Sequence, residues 1–367
     1  MASMIIGDIL DALERLAPLS QQESYDNSGI QVGLTRTETA GALFCLDVTE
    51  AVIDEAIDEG YNLIVSHHPL IFSPVKKITD TTYVGRCLMK AIRNGITIYS
   101  AHTCLDNDPR GVNAMIAQKM GLRNTEVLRP MDGTLMKLVT FVPRAAADSL
   151  RAALSDAGCG RIGNYDSCSF SHDGIGTFRA KDGADPYVGK VGELHREPET
   201  RLEMVFPAHL KGKVLGTLLS KHPYEMPAYD IYPIDSSSTG IGSGLVGCLS
   251  SPVPAMDFMR GLKETFGVHT LAYSGDTARM VSRVALCGGA GAFLIGDALR
   301  AKADVYVTGE IKYHEFCGNE DKIILVELGH YESEQFTQHL LRDYLSRLFP
   351  SLKVKLAERA SNLKKYI

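Results

Sequence analysis

The sequence predicts an α/β protein in which two βα-rich halves form one core, with a ferredoxin-like α+β domain inserted between them. Three observations support this. From Gly41 to Gly121, short apolar runs alternate with stretches of helical length. The same alternation returns from about Leu245, and the text between the halves follows a β-α-β-β-α-β order. At 367 residues, two or three domains are expected. The expected boundaries are 1–132 and 241–367 for the two parts of the core, and 133–240 for the insert.

In chain order, MASMIIGDILDALERL has no basic leader and is interrupted by acids, so it reads as an amphipathic helix. GALFCLD is a strand, followed by the helix TEAVIDEAIDEG with Thr49 as N-cap and Gly60 as its stop. The strand YNLIVS, a Pro- and Lys-containing loop, the helix DTTYVGRCLMKAIRNG, the strand GITIYSA and a helix near VNAMIAQKMG follow. Strands and helices alternating at this length imply right-handed βαβ units and a largely parallel sheet.

The insert offers KLVTFVP, AAADSLRAALSDAG, a Gly-rich and polar strand region, RLEMVFP, a helix near HLKGKVLGTLLSKH, and YDIYPID. DSSSTGIGSG, residues 235–244, is the expected return linker. The second half reads SRVALCGG, AGAFLIGDALRAKA, ADVYVTG, KIILVEL and one long helix from about Tyr331 to Leu348.

The net charge of −6, without a Lys/Arg run, argues against nucleic acid as a constitutive partner. No apolar run is long enough to span a bilayer, so no membrane partner is expected. The eight cysteines are scattered with no C-x-x-C pair, a pattern of reduced thiols in a cytoplasmic protein.

The chemistry lies where the predicted core strands end, which is where parallel α/β sheets gather ligands. YNLIVS runs into His67 and His68, and GITIYSA into His102 and Asp106. ADVYVTG runs into Glu310 and His314, and KIILVEL into His330 and Glu334. Imidazoles with carboxylates suit a divalent transition metal, and a bridging carboxylate allows two ions to sit together. His330 and Glu334, four apart, share one helix face. Neighbouring side chains on a strand point to opposite faces, so His67 and His68 can converge only if the strand has ended, a departure assigned to Pro69. His172, His195, His209, His269 and His339 are read as ordinary packed or surface histidines.

YDNSGIQVG, SHHPLIFSPVKKI, AHTCLDNDPRGVN, DVYVTGEIKYHE and GHYESEQ resemble the Nif-three-like dinuclear metal proteins, known in bacteria as GTP cyclohydrolase I type 2 homologues. The resemblance implies two divalent metal ions per subunit (Zn, Fe, Mn, Co or Ni) held by His67, His68, Asp106, His330 and Glu334, with Glu334 bridging. It places His102 and His314 as polar, substrate-facing neighbours in catalytic positions, and puts Glu310 where Asp is usual. The insert resembles the PII-like or CutA-like domain of longer members. The implied body is a homohexameric toroid capped by the inserts and acting on a small anionic or nucleotide-like substrate.

The implied activity is metal-dependent hydrolysis, with ring-opening of the GTP purine first. Phosphoester hydrolysis and a non-enzymatic metal-binding regulatory hexamer are the alternatives. Cys287-Gly288-Gly289-Ala290-Gly291 offers either a phosphate cradle or tight strand–helix packing. Ser66 and Cys104 lack the paired base of a nucleophile motif.

Overall fold

The structure, a computed structural model, describes residues 4–39, 41–235, 240–360 and 362–365. The chain forms two compact units, Met1–Pro130 with Gly240–Ile367, and Met131–Thr239.

The first unit holds two large sheets. One runs in the order Lys353–Leu356, Gly41–Cys45, Leu63–Ser66, Thr97–Ser100, Gly29–Val32. Its first four strands are parallel and the last is antiparallel. The other runs Ala272–Ser274, Ile324–Glu327, Val305–Thr308, Met280–Cys287, Gly242–Pro254, Arg123–Pro130. Only Ile324–Glu327, Val305–Thr308 and Met280–Cys287 are mutually parallel there. The parallel expectation therefore describes four strands of one sheet, including its Lys353–Leu356 edge, and the three inner strands of the other; the remaining strands pair antiparallel, which needs no crossover helix. A strand–helix alternation cannot reveal which way an edge strand pairs. The Arg123–Pro130 strand and the Ala255–Phe266 helix carry no such alternation signal and emerge only in the structure.

One cluster holds the two sheets together. Phe44, Leu63, Val65 and Tyr99 of the first sheet share it with Val284, Leu286, Val305, Val307, Ile324 and Val326 of the second. Residues from the Ile6–Leu16, Val112–Lys119, Ala255–Phe266 and Thr337–Leu348 helices complete it. One residue along each strand, the side chains point the other way, the period-2 rule of a pleated strand. Leu43, Cys45, Ile64 and Ile98 pack with residues of the Glu50–Glu59 and Tyr83–Arg93 helices. Ala285, Cys287, Tyr306 and Leu325 pack with Ala298 of the Ile295–Arg300 helix. Strands buried on both faces read as unbroken apolar runs, which is why LIVS and VYVT were legible.

The caps follow the sequence. Thr49 Oγ1 accepts from Val52 N at 3.1 Å, and Gly60 closes the helix at φ 74°. The helix expected over residues 331–348 is instead two, His330–Glu334 and Thr337–Leu348. Side-chain amides compete for carbonyls at the break: Gln335 Nε2 donates to Glu332 O at 3.1 Å and Gln338 Nε2 to Gln335 O at 3.2 Å.

The second unit runs Leu135–Pro143, Ala147–Ala157, Phe170–Arg179, Leu194–Pro207, Lys211–Lys221, Tyr229–Ile234, the β-α-β-β-α-β order. Its sheet is antiparallel, in the order Tyr229–Ile234, Leu135–Pro143, Leu194–Pro207, Phe170–Arg179. Both helices cover one face, Leu150, Leu154, Val214 and Leu218 packing on Leu138, Val142, Leu202, Met204 and Phe206. Residues 236–239 of the expected linker lie outside the described residues. All eight cysteines are free thiols. No helix among the described residues is long and apolar enough to cross a membrane.

The C-terminal strand is tied back to the first half through Glu55. This buried carboxylate accepts from the amides of Glu358 (2.9 Å) and Arg359 (2.8 Å), with Lys355 Nζ at 3.3 Å. Burial works against its ionisation, but these donors outweigh it and hold the carboxyl below the ordinary Glu range. A depressed native pKa stabilises the fold fully above the unfolded value, and the gain is lost as pH falls through the native value. Glu55→Gln is therefore expected to lower the melting temperature at neutral pH and to flatten its fall between neutral and strongly acidic solution, read by thermal melts across that range.

Candidate metal centre

The carboxyl ends of the parallel strands in both sheets converge on one place. The Leu63–Ser66 strand ends just before the two histidines, whose amides still donate to the neighbouring strand's extension, His67 N to Cys45 O (3.3 Å) and His68 N to Leu46 O (3.0 Å). The Ser66 and Ser100 hydroxyls then donate to His68 O, at 2.9 and 3.2 Å. This local clamp accompanies the departure that the sequence assigns to Pro69. The two rings face the same region, with centroids 4.9 Å apart.

His67 is fully buried, and its Nδ1 lies 2.7 Å from the carbonyl of Ala101. A carbonyl can only accept, so Nδ1 carries the proton and Nε2 presents a bare lone pair. That lone pair points at two carboxylates, Asp106 Oδ1 at 3.6 Å and Glu334 Oε1 at 3.7 Å. Neither His67 Nε2 nor Asp106 Oδ1 has a hydrogen-bond partner among the described residues. Two buried, undonated acceptors facing each other and a further carboxylate oxygen are costly unless a cation lies between them.

The other oxygen of Glu334 faces a second group. Oε2 lies 3.0 Å from His68 Nε2 and 3.1 Å from His330 Nε2. Ligand-type atoms of His67, Asp106 and Glu334 fall within 4.8 Å of one another, as do those of His68, His330 and Glu334, and of His67, His68 and His102. Either of the first two groups could hold an ion, and Glu334 belongs to both. All five residues the resemblance singled out as ligands are thus in one cluster, and His102 with them.

Two carboxylates that the sequence pattern does not single out orient the histidines. Asp47 Oδ1 sits 2.8 Å from His68 Nδ1, and Asp26 Oδ1 sits 2.8 Å from His102 Nδ1. Asp26 is itself fixed by Ser28 Oγ (2.8 Å) and by the amide (3.0 Å) and hydroxyl of Thr103. Such carboxylate–imidazole pairs set the tautomer and ring angle of metal-binding histidines. The strand-end rule applied to GALFCLD would have found Asp47; Asp26 sits on a loop within YDNSGIQVG, where no strand end points to it. Glu310 Oε1 lies 3.2 Å from His330 Nδ1 and plays the matching part there. His314 is exposed on a short 3-10 helix, stacked edge-on against Tyr313, outside the cluster.

Burial and the imidazole–carboxylate contacts set the electrostatics of the cluster. Burial pushes the Asp106 carboxyl up to about 7, with the nearby Glu334 carboxylate adding to the effect and the His67 imidazole opposing it. Burial also opposes ionisation of Glu334, but its imidazole contacts hold it well below the ordinary range. For His68, burial would lower the pKa, yet Asp47 and Glu334 push it up to about 10. The cluster opens onto a cavity of about 560 Å³ whose lining includes Tyr25, Phe72, His102, Asp106, His330 and Glu334.

The Gly-rich loop after the Met280–Cys287 strand has three of its amides engaged within the protein. Its Gly288, Gly289 and Gly291 amides donate to Asn113 Oδ1, Ser333 Oγ and Thr308 Oγ1, at 2.9, 3.0 and 2.9 Å. Gly289, at φ +60°, leaves room for Glu334; a Cβ there would collide with Glu334 Oε1.

The family model described as Duf34/NIF3 (NGG1p interacting factor 3) matches residues 4–364. A protein of Halalkalibacterium halodurans named GTP cyclohydrolase 1 type 2 homolog is 38% identical over 358 residues, 97% of this chain and 96% of its own. A protein of the same name from Bacillus subtilis is 38% identical over 352 residues, 94% of each chain. Among solved structures, a Bacillus cereus protein related to NIF3 aligns over the whole of both chains with a TM-score of 0.84 at 35% identity. Staphylococcus aureus protein SA1388 does so with a TM-score of 0.76 at 28% identity.

Gly289→Ala is expected to displace the Glu334 carboxylate and weaken divalent-cation uptake by about 10–100-fold, the range seen when the support of a ligand is lost. Calorimetric titration with Zn²⁺ or Mn²⁺ checks it, beside a melting curve showing that the variant still folds.

Proposed function

The chain belongs to the Duf34/NIF3 family, and we propose that it is a hydrolase dependent on two divalent metal ions. The supporting observation is the split of Glu334 between two donor groups, with the undonated His67 Nε2 and Asp106 Oδ1 beside it. In this reading His67, Asp106 and Glu334 would hold one ion and His68, His330 and Glu334 the other, with Glu334 common to both donor groups. The donor set of imidazoles and carboxylates fits Zn, Fe, Mn, Co or Ni. Bound ions of this kind supply Lewis acidity, which acidifies water and polarises an electrophile.

The protein's own residues do the rest. The Ala101 carbonyl fixes His67 in the tautomer that presents Nε2, and Asp47 turns His68 toward Glu334. Asp26 presents the His102 ring, with Nε2 free of protein hydrogen bonds among the described residues, at the edge of the cavity, where it can hold or move a proton for substrate. The cavity favours an enzyme over a closed storage site, since catalytic metals keep a position open to water or substrate. Following the names of its relatives, ring-opening hydrolysis of a nucleotide such as GTP stands first, and the homohexameric body is carried over from the sequence resemblance alone.

The test is cation-loaded protein assayed on GTP for formate release, beside a panel of phosphoesters. His67→Ala and Glu334→Ala are expected to lose turnover and cation uptake together, at least about 10³-fold in rate, whereas the exposed His314→Ala keeps both. Turnover only on phosphoesters, lost in the same variants, would move the substrate class. Full activity in Glu334→Ala would remove the metal reading.

A further inference from the structure

The second unit carries a cavity of its own, on the sheet face that its helices leave bare. It measures about 570 Å³, and its lining includes Phe141, Phe178, Tyr187, Glu199, Arg201 and Tyr224. Tyr224 stands between two other rings, with centroids 5.9 Å from Phe178 and 6.3 Å from Tyr187. Against these rings lies Glu199, a carboxylate only 8% exposed. Its Oε1 accepts from Tyr224 Oη at 2.8 Å, and its Oε2 has no hydrogen-bond partner among the described residues. Gly176 leaves the space that this carboxyl occupies, since a Cβ there would collide with it.

The charges in the wall do not cancel. Arg201 turns to Glu203, its Nε donating to Oε1 at 2.8 Å on a carboxylate whose Oε2 also takes Lys137 Nζ at 3.1 Å, while its guanidinium lies 5.7 Å from the centre of the Phe141 ring. Glu225, also in the wall, takes the amide of Asp185 at 3.3 Å. Neither Glu199 nor Glu225 has a cationic partner within ion-pair distance among the described residues. A nearly buried carboxylate without a counter-cation calls for a positive partner, and ring faces attract cations through their quadrupoles.

We propose that this cavity binds a small organic cation, a protonated amine or quaternary ammonium with an apolar body. The positive centre sits over the rings of Phe178, Tyr187 and Tyr224, paired with Glu199. The apolar walls accept the rest of the ligand. Nothing in this site depends on the metal cluster of the first unit.

The test titrates the full chain with choline, tetramethylammonium and phenethylammonium, and with the neutral isosteres 3,3-dimethylbutan-1-ol and 2-phenylethanol, by ligand-observed NMR. At least one cation is expected to bind about tenfold or more tighter than its isostere. Glu199→Gln should erase that preference. Tyr187→Ala removes an exposed ring that the fold does not need, and should weaken the cation more than the isostere. Equal binding of cation and isostere, no binding of any cation to the unaltered chain, or a preference that survives both substitutions would overturn the proposal.

Discussion

The cluster depends on one constraint: lone pairs that repel are held face to face. His67 Nε2, Asp106 Oδ1 and Glu334 Oε1 converge within 3.7 Å of the imidazole nitrogen with no donor between them. No side chain would choose this arrangement for itself. It persists because each group is fixed from behind, His67 by the Ala101 carbonyl and full burial, Glu334 by its helix and by the space Gly289 leaves. The cost of burying unsatisfied acceptors is stored at the site, and a cation held between them would lift it. Burial raises the Asp106 carboxyl while imidazole contacts hold the adjacent Glu334 well below the ordinary range, so the two carboxyls of one cluster are pushed apart.

Holding repelling groups together requires a rigid frame, and the shared core supplies it. Each sheet gives one face to a single apolar cluster and the other to outer helices. The strand ends cannot drift apart without opening that cluster. The same frame explains why donors come from segments far apart in sequence: Glu334 lies 266 residues beyond His68, yet their polar atoms are 3.0 Å apart. The second unit has a one-sided sheet instead. Its open face carries aromatic rings around a different buried carboxylate, so two unrelated ligand chemistries can reside on one chain.

Much of this was legible in the sequence because strands buried on both faces leave continuous apolar runs, and ligands gather just past the end of each run. That rule finds His67, His68, His102, Asp106, His330 and Glu334. It reaches Asp47 only if GALFCLD is traced to its last residue. It also brings in His314, which lies beyond the right strand but sits on an exposed turn. Asp26 lies inside YDNSGIQVG, a stretch that carries the resemblance, but it acts from a loop and only contact with His102 gives it a role. The break at Gln335 was hidden for a similar reason, since apolar periodicity continues across it while side-chain amides decide the backbone.

The sequence by itself determined the element types, the α/β class and the residue kinds at the strand ends, because those come from local periodicity and from chemistry written in single side chains. The tertiary structure alone decided which way the edge strands pair and which oxygen of Glu334 faces which group. It also decided that the Gly288, Gly289 and Gly291 amides are already taken, and that Glu199 is buried without a counter-cation. Each of these is a relation between groups distant in the chain. Local pattern holds no record of such distances, and packing sets them.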